Sequence, residues 1–469
     1  MKCAKLVLRC GSAAVLFSLA ACSQLTPVRP APALPAQFSV SLAAHQASAP
    51  RWSNFGDDGL RAWIAQVWAG NSELRLGLAR LDSAAQDLRL VRAQQSASIN
   101  LEQSAERRKN SALDQGESES KNPSSRYTSQ ISFGYEIDLR GRLAAARKAS
   151  EAEQSANQHD LLALRLSLAR QTAELWLSRA ELQANIDNTR QTIALRQQLL
   201  QSEQRKRAAG MSKTEALQEH ESALLTASLL LNKQEQGRQS VERNLCLLAN
   251  LMPGECRLPA GKPLAALALP QLGNGVPAQL LQQRPDLAAA QARYDAARSR
   301  IDEAEAARWP SLSIAGVIGV NAAAPAGLLK KGANHWSLMP QFALPLFDGG
   351  RRQAELEKSK SAAEQHYLQW HAAITRAVHE VESGSASLLE SRQNAHDLQA
   401  VHSIAARQLE KERQARKAGL GNAQSEWRSQ LALLQVEQEV SAARHAQLLA
   451  NVHLQAALGG AWPGTPDAP

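Results

Sequence analysis

The sequence predicts an α+β membrane protein written as two copies of one plan. Four amphipathic strands per chain join a twelve-stranded β-barrel shared by three chains, and very long helices continue it as a coiled coil. Three observations carry this. The 469 residues hold only 26 Gly and 19 Pro, with 4% aromatics, which suits long helices better than several compact cores. No internal run reaches the roughly 18 apolar residues of a membrane-spanning helix, so strands must make any crossing. The second half of the chain also repeats the first, element by element.

The chain opens with an export signal over residues 1–21. Lys2, Lys5 and Arg9 form its basic region, Ala13 to Ala20 its apolar region, and Leu19-Ala20-Ala21-Cys22 its end. That ending resembles a bacterial lipobox, which implies cleavage before Cys22, diacylglycerol on its thiol and an N-acyl chain such as palmitate on the new amino terminus. Residues 22–58 become a lipid-anchored extension, and Ser23 in place of Asp implies release to the outer membrane.

Loss of Cys3 and Cys10 with the signal leaves Cys22, Cys246 and Cys256. Cys246 and Cys256 flank Pro253-Gly254 in an oxidising compartment, compatible with a disulfide and also with two unpaired thiols. The formal charge of +9 falls to +6 once the three leader cations are gone. That excess is spread along the chain without interleaved aromatics, which argues against nucleic acid as a partner.

The repeat fixes the order of elements. Asn71-Ser72-Glu73-Leu74 aligns with Arg284-Pro285-Asp286-Leu287, and the offset of 213 holds to Ile99 and Leu312. Beyond the first strand pair the offset is 209, from Gly141-Arg142 and Gly350-Arg351 through to Leu245 and Leu454, so the first copy carries four extra residues between Ile99 and Ile137. Residues 59–270 form the first copy: a helix over 59–95, strands near 97–107 and 127–138, a long helix over 141–209 and a return helix over 212–250. Residues 271–469 form the second: a helix over 277–308, strands near 311–320 and 336–346, a long helix over 350–418, a return helix over 421–458 and a tail.

Each long stretch runs 69 residues from glycine to glycine, roughly 100 Å as a helix. Seven-residue seams, Leu161, Leu168, Leu175 and Leu182, then Tyr367, Ile374, Val381 and Leu388, predict coiled-coil packing. A step of four to Ile186, Ile193 and Leu200 predicts a local unwinding.

In the strands, Tyr127, Ser129, Ile131, Phe133, Tyr135 and Ile137 share one face, while Thr128, Gln130, Ser132, Gly134, Glu136 and Asp138 share the other. Trp336, Leu338, Pro340, Phe342, Leu344 and Leu346 repeat the apolar face. Such segments suit a membrane barrel, with lipid on one side and water on the other. Four strands cannot close one, because an open edge leaves backbone groups unsatisfied in lipid. A dimer would supply eight strands and a trimer twelve; twelve long helices beneath twelve strands favour the trimer.

Four motifs then resemble the outer-membrane factors of TolC type, in their efflux-pump lipoprotein (NodT/OprM) branch: Trp52-Ser53-Asn54-Phe55-Gly56-Asp57, Gln283-Arg284-Pro285-Asp286-Leu287, Ala306 to Ile314, and Ala457-Leu458-Gly459-Gly460-Ala461-Trp462. The resemblance implies a homotrimeric tube with its barrel in the outer membrane and a helical tunnel across the periplasm. It also implies a tip that meets a periplasmic adaptor and an inner-membrane pump, expected to be proton-driven. The function expected is a passive exit duct for small molecules such as drugs or metal ions.

The family closes its tunnel with aspartates about six residues past each tip glycine, Gly210 and Gly419 here. Those positions hold Ala216 and Ser425, so Glu215, Glu426 and Arg428 become the gate candidates, with Lys213, Glu219, Arg416 and Lys417 nearby. Salt links within the tip are an alternative to an acidic ring.

No catalytic residue, metal ligand set or cofactor other than the Cys22 lipid is expected. His-Glu-x-x-His and Gly-x-Ser-x-Gly are missing, and Gly261-Lys262 runs into Pro263 without the upstream glycine of a phosphate loop. His371 and His379 lie eight apart, not at the four-residue spacing that chelates from one helix. The rival reading is a lipid-anchored periplasmic coiled-coil scaffold without channel activity.

Overall fold

A computed structural model describes residues 55–109, 123–270 and 284–460, so the expected leader, Cys22 and the extension before Phe55 lie outside the described residues. In chain order the elements are α1 (Asp58–Gly70), α2 (Ser72–Gln94), β1 (Ser98–Arg108), β2 (Ser124–Ile137), α3 (Arg142–Ala208), α4 (Thr214–Leu248), α5 (Pro285–Ala306), β3 (Ser311–Ala322), β4 (Asn334–Ala343), α6 (Arg351–Lys417) and α7 (Ala423–Ala457). Both α3 and α6 have 67 residues, and both α4 and α7 have 35. Two compact units result. Among the described residues, one takes 90–109, 123–149 and 295–365 and contains the strands; the other takes 55–89, 150–270, 284–294 and 366–460 and is helical.

Three expectations change. The helix expected over 59–95 is broken into α1 and α2 at Asn71, whose backbone is extended, and the Ala249 carbonyl oxygen packs so closely on Gly70 that a Cβ there would sit 2.3 Å from it. Asn71 makes the break: its Oδ1 accepts from the Glu73 and Leu74 amides at 2.9 and 3.1 Å, capping α2, while its Nδ2 donates to the Leu248 carbonyl at 2.8 Å. In the sheet unit, β4 stops at Ala343, so Leu344 and Leu346 fall beyond the strand expected to include them. Within the span expected as a helix over 277–308, α5 starts at Pro285, where the missing N–H costs nothing, and residues 277–283 lie outside the described residues.

The helical unit has two cores. In the first, Phe55, Leu60, Trp63 and Val67 pack against Leu168, Trp176 and Leu177 of α3, Leu245 of α4, and Leu448 and Val452 of α7. Asp57 anchors it. Its Oδ1 caps α1 through the Gly59 and Leu60 amides, and its Oδ2 accepts from Trp176 Nε1 at 2.9 Å and the Lys262 amide at 3.1 Å. The second core joins Leu287 and Tyr294 to Trp370, Ile374, Val381 and Leu388 of α6 and Leu454 of α7, with the Tyr294 and Trp370 rings 5.8 Å apart. Each fully buried Leu, Ile or Trp in these cores contributes about 2 kcal/mol. Arg284 closes the second core by holding Asp286, Glu380 and the Ala457 carbonyl together.

The strand unit is a four-stranded antiparallel sheet in the order β1-β2-β3-β4. Ala297 and Ile301 of α5 pack on Leu356 and Ala363 of α6 as its helical core. Aspartates start the long helices after the strands: Asp138 accepts from the Leu143 and Ala144 amides, and Asp348 from those of Gly350 and Arg352.

Candidate functional site

Pairing register turns the alternation of single strands into two continuous surfaces. Across one row, Leu101, Ile131, Ile318 and Trp336 stand opposite one another; in the next, Ile99, Phe133, Gly316 and Leu338 do so, followed by Tyr135, Ile314 and Pro340. This face is apolar and open to the surroundings, with Trp336 77% and Ile99 71% exposed. Exposed apolar area on that scale needs a partner or a lipid phase. The reverse face carries Ser, Thr, Asn, Gln and charged groups, among them Glu102, Gln130, Ser132 and His335. Strands β1 and β4 are the edges of the sheet, and among the described residues no further strand pairs with either.

The second region is the pair of turns at Gly210 and Gly419. Both glycines have φ near +75° and close the same helix ending: Met211 N–H donates to the Lys206 carbonyl and Gly210 N–H to that of Arg207, as Leu420 does to Ala415 and Gly419 to Arg416. The residues that follow, Met211 and Leu420, are 73% and 86% exposed. Asn422 caps α7 by accepting from the Ser425 amide at 2.8 Å.

Polar links tie this end together. Glu203 is buried, accepts from the Ser212 hydroxyl and lies 3.3 Å from Lys206 Nζ, which also donates to Gln424 Oε1 at 2.6 Å. The Ser212 hydrogen bond, reinforced by Lys206, holds the Glu203 carboxyl below its ordinary range against the opposing effect of burial. Glu426 is bound within its own chain, to Arg416 at 2.7 Å and Arg413 at 3.6 Å. Arg428 is exposed, as is Glu215 in the first turn of α4. Sequence reading passed over Lys206, Glu203 and Gln424; the run Arg205-Lys206-Arg207 at a helix end was the available signal.

Cys246 and Cys256 form a disulfide, with Cα atoms 5.8 Å apart, across the end of α4. Asn250 at φ 55° makes the turn between them.

A family model described as outer membrane efflux protein matches residues 63–251 and 276–460. Outer membrane protein OprJ of Pseudomonas aeruginosa is 27% identical over 373 residues, covering 78% of each chain. The toluene efflux pump outer membrane protein TtgF of Pseudomonas putida is 28% identical over 355 residues, covering 74% of this chain and 72% of its own. Among solved structures, the open state of the Neisseria gonorrhoeae MtrE outer membrane channel superposes with a TM-score of 0.82 at 22% identity, over 94% of this chain and 98% of that one.

Proposed function

The chain belongs to the outer membrane efflux protein family, and from that premise we propose that three copies join their sheets into one twelve-stranded barrel while their helical units form a tunnel through the periplasm. It is an outer-membrane efflux channel. The observation that carries the assembly is the sheet itself: a continuous exposed apolar face and two unpaired edges. In lipid each unpaired backbone group costs several kcal/mol, so edge β1 of one chain must meet edge β4 of the next. A scaffold without a channel would leave that face in water.

The relatives are named as efflux pump components, and on that basis the tip turns at Gly210 and Gly419 meet a periplasmic adaptor and, with it, an inner-membrane pump. Energy enters at the pump, and the chain is a passive duct for small molecules such as drugs or metal ions. Cys22, acylated on its thiol and its amino group, adds a lipid anchor beside the barrel.

Gel migration of unheated and heated membrane extracts tests the assembly. A heat-modifiable trimer is expected for both the wild type and Cys22→Ser. A monomer recovered in the soluble periplasmic fraction contradicts the reading.

A further inference from the structure

The polar face of the sheet holds a line of hydrogen bonds that touches all four strands. Glu102 on β1 accepts from Gln130 Nε2 at 2.8 Å and from Ser132 Oγ at 3.0 Å, both on β2. The other end of the Gln130 amide, Oε1, lies 3.3 Å from His335 Nε2 on β4, and His335 Nδ1 lies 3.4 Å from Asn321 Nδ2 on β3. Gln130 reaches over β3 because Gly319 stands between them in the pairing. A Cβ at position 319 would fall 2.6 Å from the Gln130 Cβ and close the passage.

This geometry fixes how the ring is protonated. Gln130 commits its nitrogen to Glu102 and offers its oxygen to His335, so Nε2 carries the hydrogen of the neutral ring. A second proton therefore lands on Nδ1, beside the Asn321 amide, which can turn its oxygen toward it.

The other charged groups on this face are Glu102, Glu106 and Arg108 from β1 and Arg126 and Glu136 from β2, with none from β3. Glu106 is paired in register with Arg126, and Glu136 is 2.9 Å from Arg142. Carboxylates and guanidinium groups ordinarily keep their charge between pH 5.5 and 7.5; histidine does not. His335 is the one histidine in the four strands.

We propose that His335, tied through Gln130 to Glu102, determines how the barrel discriminates between cations and anions and makes that discrimination depend on pH. The inference rests on the barrel reading, in which the polar face lines the lumen. With His335 neutral, Glu102 is the charge in register with it across the sheet, Arg108 lying six residues further along β1. Protonation places one positive charge per chain on the lumen wall, three strand spacings or about 14 Å from Glu102 of the same chain, and shifts the preference away from cations.

The test uses purified trimer in planar bilayers, with reversal potentials measured under a KCl gradient at pH 7.5 and 5.5. The potassium-to-chloride permeability ratio of the wild type should fall about twofold on acidification, a modest effect across that distance in water. His335→Gln should lose most of the fall, and His335→Lys should hold the lower ratio at both pH values. Equal falls in wild type and His335→Gln overturn the inference and leave the barrel standing. A folded trimer that conducts no current overturns the barrel reading and the inference together.

Discussion

Lys206 Nζ donates to Gln424 Oε1 across 2.6 Å, joining the last turn of α3 to the first turn of α7, 218 residues later. The same ammonium lies 3.3 Å from buried Glu203, so one cation holds both tip regions of the chain. Spreading the tips requires this link to break. Half-exposed pairs of this kind contribute about 1 kcal/mol or less.

Lys206→Met should therefore raise the ratio of open to closed channels up to about fivefold. Single-channel recording of the purified protein checks it. An unchanged open fraction removes Lys206 from the gate.

The tip should also loosen in acid. The folded-state pKa of Glu203 lies below its ordinary value, chiefly through Ser212, so its stabilising contribution is present above the ordinary carboxylate range and is lost as pH falls through the lowered value. Ser212→Ala should move that loss to higher pH. Amide hydrogen exchange of residues 209–214, followed from pH 6 to 3, reads the transition; identical profiles for variant and wild type contradict the assignment.

Asp57→Ala removes the cap of α1 and leaves the buried Trp176 indole and the Lys262 amide without their acceptor. A loss of about 2–4 kcal/mol is expected, seen as a lower melting temperature of the detergent-solubilised protein. Asp57→Asn keeps an acceptor and should lose less. An unchanged melting temperature in Asp57→Ala would contradict the anchoring role.

Asn451 is fully buried on α7, and among the described residues neither its Oδ1 nor its Nδ2 has a hydrogen-bond partner. Its neighbours Leu448, Ala450, Val452 and Leu454 belong to the two helical cores. Asn451→Leu should stabilise the unit by about 1–2 kcal/mol, because a desolvated amide is replaced by an apolar group of similar volume. Destabilisation in the same melting assay would mean that ordered water satisfies the amide and is worth keeping.

Patterns with a local cause were legible from the residues. A period of two placed Ile131, Phe133 and Tyr135 on one face, and pairing register extended that face across neighbouring strands. Seven-residue spacing found Leu168, Val381 and Leu388, all buried. After the step at Ile186 the reading was weaker: Leu195 and Leu199 take the buried positions, while Ile193 and Leu200 are half-buried. Features imposed from far along the chain were not legible. The Ala249 carbonyl lies where a Cβ at position 70 would fall, and Gln130 meets His335 only because Gly319, on the strand between theirs, has no side chain. Glu426 showed its charge in the sequence, but its partner Arg416 depends on how the turn at Gly419 closes.

Conductance of the purified, unheated protein in a planar lipid bilayer tests the central claim most directly. Discrete, stepwise current increments that appear with the heat-modifiable trimer and vanish on heating are the expected result. A folded, membrane-extracted trimer that inserts without passing ions would contradict the account of this chain as an outer-membrane duct.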